Sequence, residues 1–422
     1  MSTQHSSWKW WVCGAMMFAT LLNYMDRQVL PQIATELKSA YGLDDARYGT
    51  VGRNFAWAFA VGSVAFGFIA DRAGPRLLYP VVLVGWSAAG LATPLMRDPD
   101  FAAHCDWDEP GAGAYHWLLV CRTLLGFFEA GHWPCALLTA RQILSAQDRP
   151  LGNGLLQSGA SLGAILVPLY VFAVRKLGGG WEVAFWTIGG IGLLWVPLWL
   201  GLVRAGDLAG KTQGTEISNQ ERAAEPFDWA RFAGTVTALF CVVLGISVSW
   251  QFIREWLPKY LKESQGFSAD AADVIVPAYY LSAELGCFAA GVLVRWLIAR
   301  GSDVHSARVK GFAAFALVTA SAALAPLAGG WVGVGLIVLA GAGILGLHPL
   351  YYALGQELPA RHMAFITGVL TAGGWFVVGA VQKAMGEHIQ TTGSYDIGFV
   401  IAGLAPAVGL LALVVLWRPS RA

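Results

Sequence analysis

Twelve long apolar runs are the feature of this sequence that most limits how the chain can fold. A helix needs about 20 mainly apolar residues to cross the hydrocarbon layer of a membrane, and each run supplies a stretch of about that length. With soft edges, the runs cover residues 8–31, 48–70, 77–96, 115–142, 152–175, 182–204, 232–258, 272–298, 308–328, 331–355, 362–386 and 395–417. The sequence therefore predicts an all-α polytopic membrane protein with twelve transmembrane helices.

The composition excludes a soluble enzyme of this length. Hydrophobic residues make up 56% of the 422 residues, and charged residues make up only 13%, whereas soluble domains carry about 25% charged residues. That is too little charge to cover the surface of a soluble domain of this size. The net charge of +1 gives no reason to expect nucleic acid as a partner. We expect the lipid bilayer to surround most of the chain.

A polar stretch near the middle of the chain divides the twelve runs into six and six. Residues 205–231 are rich in Gly, Glu, Gln and Thr, which is typical of a linker. We predict an N-terminal six-helix half over 1–204, a cytoplasmic linker over 205–231 and a C-terminal six-helix half over 232–422. Two six-helix halves around a shared midplane site are one known plan for a transporter.

The basic residues of the loops predict the orientation of the chain. Loops that follow even-numbered runs hold about twice as many Lys and Arg residues as the other loops, and the loop around 97–114 is acidic. Cytoplasmic loops of membrane proteins carry the excess of Lys and Arg, so both termini are predicted to be cytoplasmic. No small-residue cleavage site follows the first run, and we interpret that run as a retained helix rather than a signal peptide.

The segment GFIADRAGPR, residues 67–76, closes the second run and resembles a signature loop. The major facilitator superfamily carries G-x-x-x-D-R-x-G-R-R between its second and third helices, and Pro75 replaces one arginine of that pattern here. The matching residues are Gly67, Asp71, Arg72, Gly74 and Arg76. The resemblance implies that these residues form a cytoplasmic gate. We expect Gly67 to permit a close helix approach and Gly74 to make the turn.

Further segments resemble the anion:cation symporters of the same superfamily. Residues 23–27 match the N-Y-x-D-R of the first helix in that family, and residues 122–134 resemble the R-x-x-x-G-x-x-E-A-x-x-x-P of the fourth. Residues 159–168 resemble part of the fifth helix, and residues 256–261 resemble the end of the seventh. The resemblance implies the major facilitator fold and the transport of organic anions such as hexuronates and galactonate.

Charged residues within the first and fourth runs are the main site candidates. A charge at membrane depth costs at least about 2.5–3.5 kcal/mol, so it needs a partner or water. Arg27 shares a helix face with Asn23, and we predict that its planar fork grips a carboxylate of the substrate. Asp26 lies about 100° around the helix from Arg27 and is predicted to point towards the fourth helix.

Arg122, Gly126 and Glu129 share one face of the fourth helix, where Gly126 would leave room between the two charges. We predict that Asp26 and Glu129 carry protons, with Arg122 as their charged partner. Two alternatives remain open: Asp26 only holds Arg122 in place, or the fourth-helix charges form a structural ion pair with another helix. Glu255 and Glu284 are further candidate acids.

Other membrane residues are weaker candidates for contacts with the substrate. Arg53 and Arg254 are possible second anchors, although either can equally be a residue that extends to the outer interface, and Glu255 can simply neutralise Arg254. Hydroxyl contacts or ring stacking are expected from Tyr24, Gln157, Trp250, His348, Tyr351, Thr371 and Trp375. For the aromatic residues in this set, helix packing is an equally good interpretation.

These features together predict a transporter and not an enzyme, because no nucleotide loop, metal-binding helix or nucleophile motif occurs in the sequence. We expect a proton-coupled symporter that takes up a small organic anion, a sugar acid such as a hexuronate or aldonate, into a bacterial cell across its inner membrane. The coupling ion is the proton, no other cofactor is expected, and the protein is expected to act as a monomer. The alternatives are an exporter, antiporter or facilitator on the same fold, or a ligand-binding membrane sensor.

Overall fold

The computed structural model describes residues 4–107, 109–144, 148–204, 206–208, 229–355 and 360–417. Within these ranges, side chains are described outside residues 4–6, 71, 149–151, 229–231 and 360–368.

Within these described ranges, twelve long helical segments follow one another, as the twelve apolar runs predict. They are α1 (Gln4–Tyr41), α2 (Asp45–Ala73), α3 (Pro75–Ala92), α4 (Gly113–Glu129, continued by His132–Ile143), α5 (Arg149–Lys176), α6 (Glu182–Leu202), α7 (Trp229–Lys259), α8 (Ala269–Ala299), α9 (Val304–Thr319), α10 (Gly330–Gly355), α11 (Ala360–Thr392) and α12 (Asp396–Leu416). A short helix, Pro99–Ala103, lies between α3 and α4. The all-α polytopic fold class is confirmed.

Nine helices among the described residues are long and apolar enough to cross a membrane. The other three membrane helices are α1, α4 and α11. Polar residues from Asn23 to Arg27 interrupt the apolar sequence of α1, α4 is broken after Glu129, and α11 becomes polar from Gln382 onwards. Low hydropathy in α1 and α4 therefore occurs where the candidate site residues lie.

The break in α4 is a feature that the uniform run over 115–142 did not predict. Gly131 at the break packs so closely on α3 that a Cβ there would lie 2.6 Å from Cγ1 of Val82. The ring of His132 then joins the second part of α4 to two other helices, through Nδ1 with the Tyr79 hydroxyl at 2.9 Å and Nε2 with the Thr20 hydroxyl at 3.0 Å. These contacts fix the chain direction just after Glu129.

The two groups of six helices meet mainly along two helix pairs, α2 with α11 and α5 with α8, and α1 also contacts α7. Glycines allow the first of these contacts, because a Cβ on Gly49 would lie 2.5 Å from the Gln382 carbonyl and one on Gly386 would lie 2.3 Å from the Asp45 carbonyl. The predicted linker lies largely outside the described residues, and the division of the chain into two domains stays a prediction.

A cluster of ion pairs joins the two groups of helices at one end of the bundle, where α1 and α7 end and α2 and α8 begin. With the predicted orientation this is the outer end. Lys259 is completely buried and its Nζ lies 2.5 Å from a carboxylate oxygen of Asp45. Lys38 contacts both Asp45, at 2.9 Å, and Glu263, at 3.2 Å. We call these four residues the outer ion-pair cluster.

Three more ion pairs cross between the groups beside that cluster. They join Arg175 to Asp273 at 2.9 Å, Lys176 to Asp270 at 2.6 Å, and Lys262 to Glu36 at 3.5 Å. Between residues that the structure describes, every ion pair joining the two groups of helices lies at this end. The outer end is therefore closed by ionic contacts.

Candidate functional site

The centre of the first helix group contains a buried ion pair between α1 and α4. Arg27 donates from Nε to Oε2 of Glu129 at 2.8 Å, and its Nη2 forms an ion pair with the same oxygen at 2.6 Å. Both side chains are almost fully buried. Arg27 also reaches Asn23 one turn earlier, at 3.4 Å, so the predicted shared face of these two residues is present. The second oxygen of Glu129, Oε1, has no hydrogen-bond partner among the described residues.

Aromatic rings surround the guanidinium group of Arg27. Its Cζ atom lies 5.2 Å from the ring centre of Tyr24, 5.3 Å from Phe55, 5.0 Å from Phe59 and 5.8 Å from Trp375. Because Phe55 and Phe59 belong to α2 and Trp375 belongs to α11, both groups of helices contribute to this environment. Cation–π attraction strengthens where water is excluded, so the rings hold the cation while leaving its hydrogen-bond donors available to an acceptor.

Asp26 and Arg122 form a second, incompletely paired set of charges. Arg122 donates from Nη1 to the main-chain carbonyl of Asp26 at 3.5 Å, and its Nε has no partner among the described residues. The carboxylate of Asp26 faces α3, since a Cβ on Gly90 would lie 3.0 Å from Oδ1. This differs from the predicted direction towards α4, because Gly90 lacks a side chain and leaves space for the carboxylate. Neither carboxylate oxygen of Asp26 has a hydrogen-bond partner among the described residues.

Gly126 has a different role from the one predicted. A Cβ at this position would lie 2.4 Å from the main-chain carbonyl of Phe55 on α2. The glycine therefore allows α4 and α2 to approach, and it does not leave room between Arg122 and Glu129. Arg27 of α1 lies beside Glu129 instead. The alternative interpretation allowed an ion pair with another helix but did not name the partner.

A narrow cavity lies between the two groups of helices, next to the buried charged residues of α1 and α4. It has room for about one water molecule. Its lining comes from α1, α2, α4, α7 and α11 and consists of Leu30, Gly52, Phe55, Ala56, Arg122, Gln251, Arg254, Glu255, Trp375, Val378 and Gln382. Two arginines from opposite groups, Arg122 and Arg254, thus face one space. Arg27 is not part of the lining, but its guanidinium group packs on the rings of Phe55 and Trp375, which are.

Arg254 and Glu255 are sequence neighbours, but the structure does not pair them. Glu255 accepts a hydrogen bond from the hydroxyl of Tyr48 on α2 at 2.7 Å. Arg254 is 5% exposed, forms no ion pair with a described carboxylate, and has no hydrogen-bond partner for Nε or Nη1 in that part of the chain. The suggestion that Glu255 simply neutralises Arg254 is therefore not what the structure shows.

The remaining polar and aromatic candidates are spread over several places. Trp250 and His348 belong to an aromatic group in the second set of helices, with ring centres 6.1 Å apart, and Tyr351 packs beside Tyr352. Arg53 donates to the neighbouring Asn54 at 2.8 Å and does not line the cavity. Three further candidates also lie away from the cavity lining: exposed Gln157 on α5, half-buried Thr371 on α11, and Glu284 on α8, which accepts from Ser161 of α5.

The segment that resembles the signature loop forms the turn between α2 and α3. Gly74 has φ of +71°, a backbone conformation that favours glycine, so its predicted role as the turn residue agrees with the structure. Arg76 donates to the carbonyl of Val203 at 3.1 Å, and Arg72 packs on the ring of Phe68. Gly67 differs from the expectation, because no described atom would lie within 4 Å of a Cβ at this position. The side chain of Asp71 lies outside the described residues.

Sequence reasoning missed the polar residues of the second group that face the first. Gln382 accepts from Trp256 Nε1 at 2.6 Å and donates to the carbonyl of Gln251 at 3.2 Å, which fixes α11 to α7 beside the cavity. Lys259 was missed because a lysine near the end of an apolar run normally reaches water. A signal for Lys259 was the acid Asp45 at the start of α2, because a buried carboxylate at that helix end needs a cation as its partner.

Taken together, the buried charges, the narrow cavity and the two groups of membrane helices define a multi-pass membrane transporter. The family model for the Major Facilitator Superfamily matches residues 16–382. The chain belongs to the Major Facilitator Superfamily and is a transporter rather than an enzyme.

Several known proteins resemble the chain over much of its length. It is 24% identical over 415 residues to the probable sulfoacetate transporter SauU of Cupriavidus necator, covering 95% of this chain and 92% of that protein. It is 25% identical over 321 residues to the D-galactonate transporter of Escherichia coli O6:H1, covering 69% of each. A crystal structure of a bacterial homologue of the human lysosomal transporter Spinster, inward-facing and unoccupied, aligns with a TM-score of 0.73 at 17% identity over both full chains. This last likeness supports the fold.

Proposed function

We propose that the protein takes up a small organic anion of the sugar-acid class, such as a hexuronate or aldonate, together with protons. The observation that carries the proposal is the buried contact between Arg27 and Glu129, because it places the predicted anion-binding cation on the predicted proton carrier. The transport of sugar acids or related organic anions by relatives that cover most of the chain supports the substrate class.

Competition for Arg27 provides the proposed link between the proton and the anion. When Glu129 is ionised, its Oε2 atom accepts from Nε of Arg27 and forms an ion pair with Nη2. A proton on Glu129 removes the negative charge that holds the arginine. The two donors then become available to a carboxylate of the substrate, which they can grip in the bidentate manner that guanidinium groups favour. The proton is thus required before the anion binds.

Asp26 is the second proposed proton carrier. A buried carboxylate whose two oxygens both lack partners is costly while it is charged, and protonation removes that cost. Arg122 lies beside the Asp26 main chain and in the cavity wall. Its guanidinium group therefore interacts electrostatically both with Asp26 and with a charged group in the cavity. Because two nearby acids titrate together, the protons belong to the pair rather than to one residue.

Alternating access completes the proposed mechanism. The cavity is too small for a six-carbon sugar acid, so the helices that line it must move apart when substrate enters. The outer ion-pair cluster closes one end, and we assign the cytoplasmic gate at the other end to the turn formed by Gly67, Asp71, Arg72, Gly74 and Arg76. The proposed location is a bacterial inner membrane, with both termini in the cytoplasm.

The test is uptake by proteoliposomes that contain the purified protein. Hexuronates, aldonates and aldarates are offered one at a time, with and without an imposed pH gradient that is acid outside. We expect at least one sugar acid to accumulate above its external concentration only when the gradient is present. Uptake that merely equilibrates, whatever the gradient, would instead identify a facilitator, and movement of the anion against an inward proton flow would identify an antiporter.

A further inference from the structure

Two arginines from opposite groups of helices face the same cavity, and neither forms an ion pair with a described acid. Arg122 on α4 is 3% exposed and Arg254 on α7 is 5% exposed. The Nε of Arg122 and the Nε and Nη1 of Arg254 have no hydrogen-bond partner among the described residues. Buried guanidinium groups are normally hydrogen-bonded on all sides or paired with an acid. The free donors therefore point to an acceptor that comes from outside the chain.

Glu255 lines the same cavity, but neither it nor the other acids nearby forms an ion pair with Arg122 or Arg254. Glu255 accepts from Tyr48, Glu129 is held by Arg27, and the carboxylate of Asp26 faces α3. A ligand with one acidic group can occupy the fork of one arginine, and the free donors of the second arginine then stay without an acceptor. A ligand with an acidic group at each end meets both arginines and joins the two groups of helices.

We propose that the substrate is a dianion with two separated acidic groups, and that Arg254 selects it over the corresponding monoanion. This inference rests on the proposed function and narrows it, because aldarates carry an acidic group at each end, whereas hexuronates and aldonates carry one. The acid at one end of the substrate binds within the first group of helices, at Arg27 or Arg122. The acid at the other end binds Arg254. Binding at both ends draws α4 and α7 together around the ligand.

Galactarate and galactonate form a matched pair of probes, because they share six carbons and differ in having a carboxylate or a hydroxyl group at one end. Titration calorimetry at pH 7.5, where both galactarate carboxylates are ionised, measures the two dissociation constants for the full-length protein in detergent. We expect galactarate to bind about tenfold more tightly or better, the size of effect typical of one charge-assisted contact. In Arg254→Gln the preference should fall to about threefold or less, mainly through weaker binding of galactarate.

Two more variants separate selection from damage to the fold. Arg47→Gln is the matched control, because Arg47 pairs with Glu109 and does not line the cavity, and it should keep the preference for galactarate. Arg254→Lys keeps the charge without the fork and should keep part of the preference. Thermal melting of each purified variant shows whether it is folded, and the preference of the unaltered protein tests the inference even if Arg254→Gln does not fold.

The outcomes distinguish this inference from the proposed function. Equal affinity for galactarate and galactonate in the unaltered protein overturns the dianion inference, and so does an unchanged preference in a folded Arg254→Gln variant. In both cases, sugar acids still bind and the proposed function stands. If no sugar acid of either charge binds or is transported, the proposed function itself fails and the inference fails with it.

Discussion

The centre of the bundle and the outer ion-pair cluster both bury charged side chains, but only the cluster leaves none of its buried side-chain polar atoms without a partner. At the outer end, Lys259 is fully buried and bonded to Asp45, and Lys38 and Glu263 complete the cluster. At the centre, Asp26, Arg122 and Arg254 all leave polar atoms without a partner among the described residues.

The difference indicates two kinds of task for a buried charge. A fully paired cluster between two groups of helices holds one arrangement of the molecule and opposes separation, since breaking a buried pair by removing one partner costs about 3–5 kcal/mol. Charges with unused donors and acceptors are costly as they stand and become favourable only with a ligand or a proton. The outer cluster thus acts as a closure, whereas the centre is a place for binding and coupling.

The largest expected effect is the loss of anion binding in Arg27→Ala. The variant removes the cation that several aromatic rings enclose and that Glu129 holds, and no other basic residue of α1 lies near that position. Arg27→Lys should restore binding poorly, because a single ammonium group does not reproduce the bidentate fork. Binding is measured by titration of the purified protein with the anion that proteoliposomes accumulate best.

The matched control for this variant is Arg53→Ala. Arg53 lies away from the cavity and donates a hydrogen bond to the side chain of Asn54. Arg53 was a possible substrate anchor by sequence, so the comparison also tests the structure against that earlier possibility. Unchanged affinity in Arg27→Ala together with lost affinity in Arg53→Ala would reverse the assignment of the two arginines.

A smaller effect is expected when the outer ion-pair cluster is broken. Lys259→Met leaves Asp45 without its buried partner and should favour states in which the outer end is open. Ile389 lines a second pocket, which lies at the outer end beside Lys38 and Glu263. A single cysteine at this position reports opening through its labelling rate with a membrane-impermeant thiol reagent. The background is a chain in which the six native cysteines are replaced, and we expect the rate to rise by about tenfold or more, since 1.4 kcal/mol corresponds to a factor of 10.

Lys383→Met is the control for Lys259→Met, because Lys383 is 42% exposed and pairs with Glu387 on its own helix. It should leave the labelling rate unchanged. Equal rates in Lys259→Met and in the chain with an intact cluster would show that the ionic contacts do not keep the outer end closed.

The smallest of these effects concerns two glycines, each in a segment that resembles a family motif. Gly126→Ala places a Cβ against the main chain of Phe55, whereas Gly67→Ala meets open space. Overpacking of a close contact costs about 1–3 kcal/mol, so Gly126→Ala should lower the melting temperature in detergent, and Gly67→Ala should not. Intrinsic tryptophan fluorescence follows the transition. A larger loss of stability in Gly67→Ala would mean that the second helix packs differently from the structure.

Much of the fold could be predicted from the sequence because membrane helices depend on length and hydropathy, which are local properties. Each of the twelve runs overlaps a long helix or helix pair, and the motif at Asn23 to Arg27 lies in the bundle centre as expected. The partner of Glu129 could not be predicted, because which residue of another helix faces it depends on helix rotation and spacing. The same limit explains Gly126 and Gly67, whose neighbours come from packing between helices rather than from the motif itself.

The outer ion-pair cluster was missed for a related reason. Lys259 and Asp45 are 214 positions apart, and each one alone looks like a residue at the water interface. Only the meeting of α2 with α7 and α11 buries both of them. The roles assigned to Arg27, Asp26 and Glu129 in transport stay predictions that the geometry supports.

The central claim is that Glu129 and Asp26 couple the proton to the anion. It is tested most directly by measuring gradient-driven accumulation and substrate counterflow side by side in Glu129→Gln, Asp26→Asn and the double variant. These substitutions keep the shape of the side chains but cannot carry a proton. We predict that accumulation collapses in at least one single variant while counterflow, which need not cycle the proton, survives. Full accumulation in both single variants and in the double variant would contradict the account.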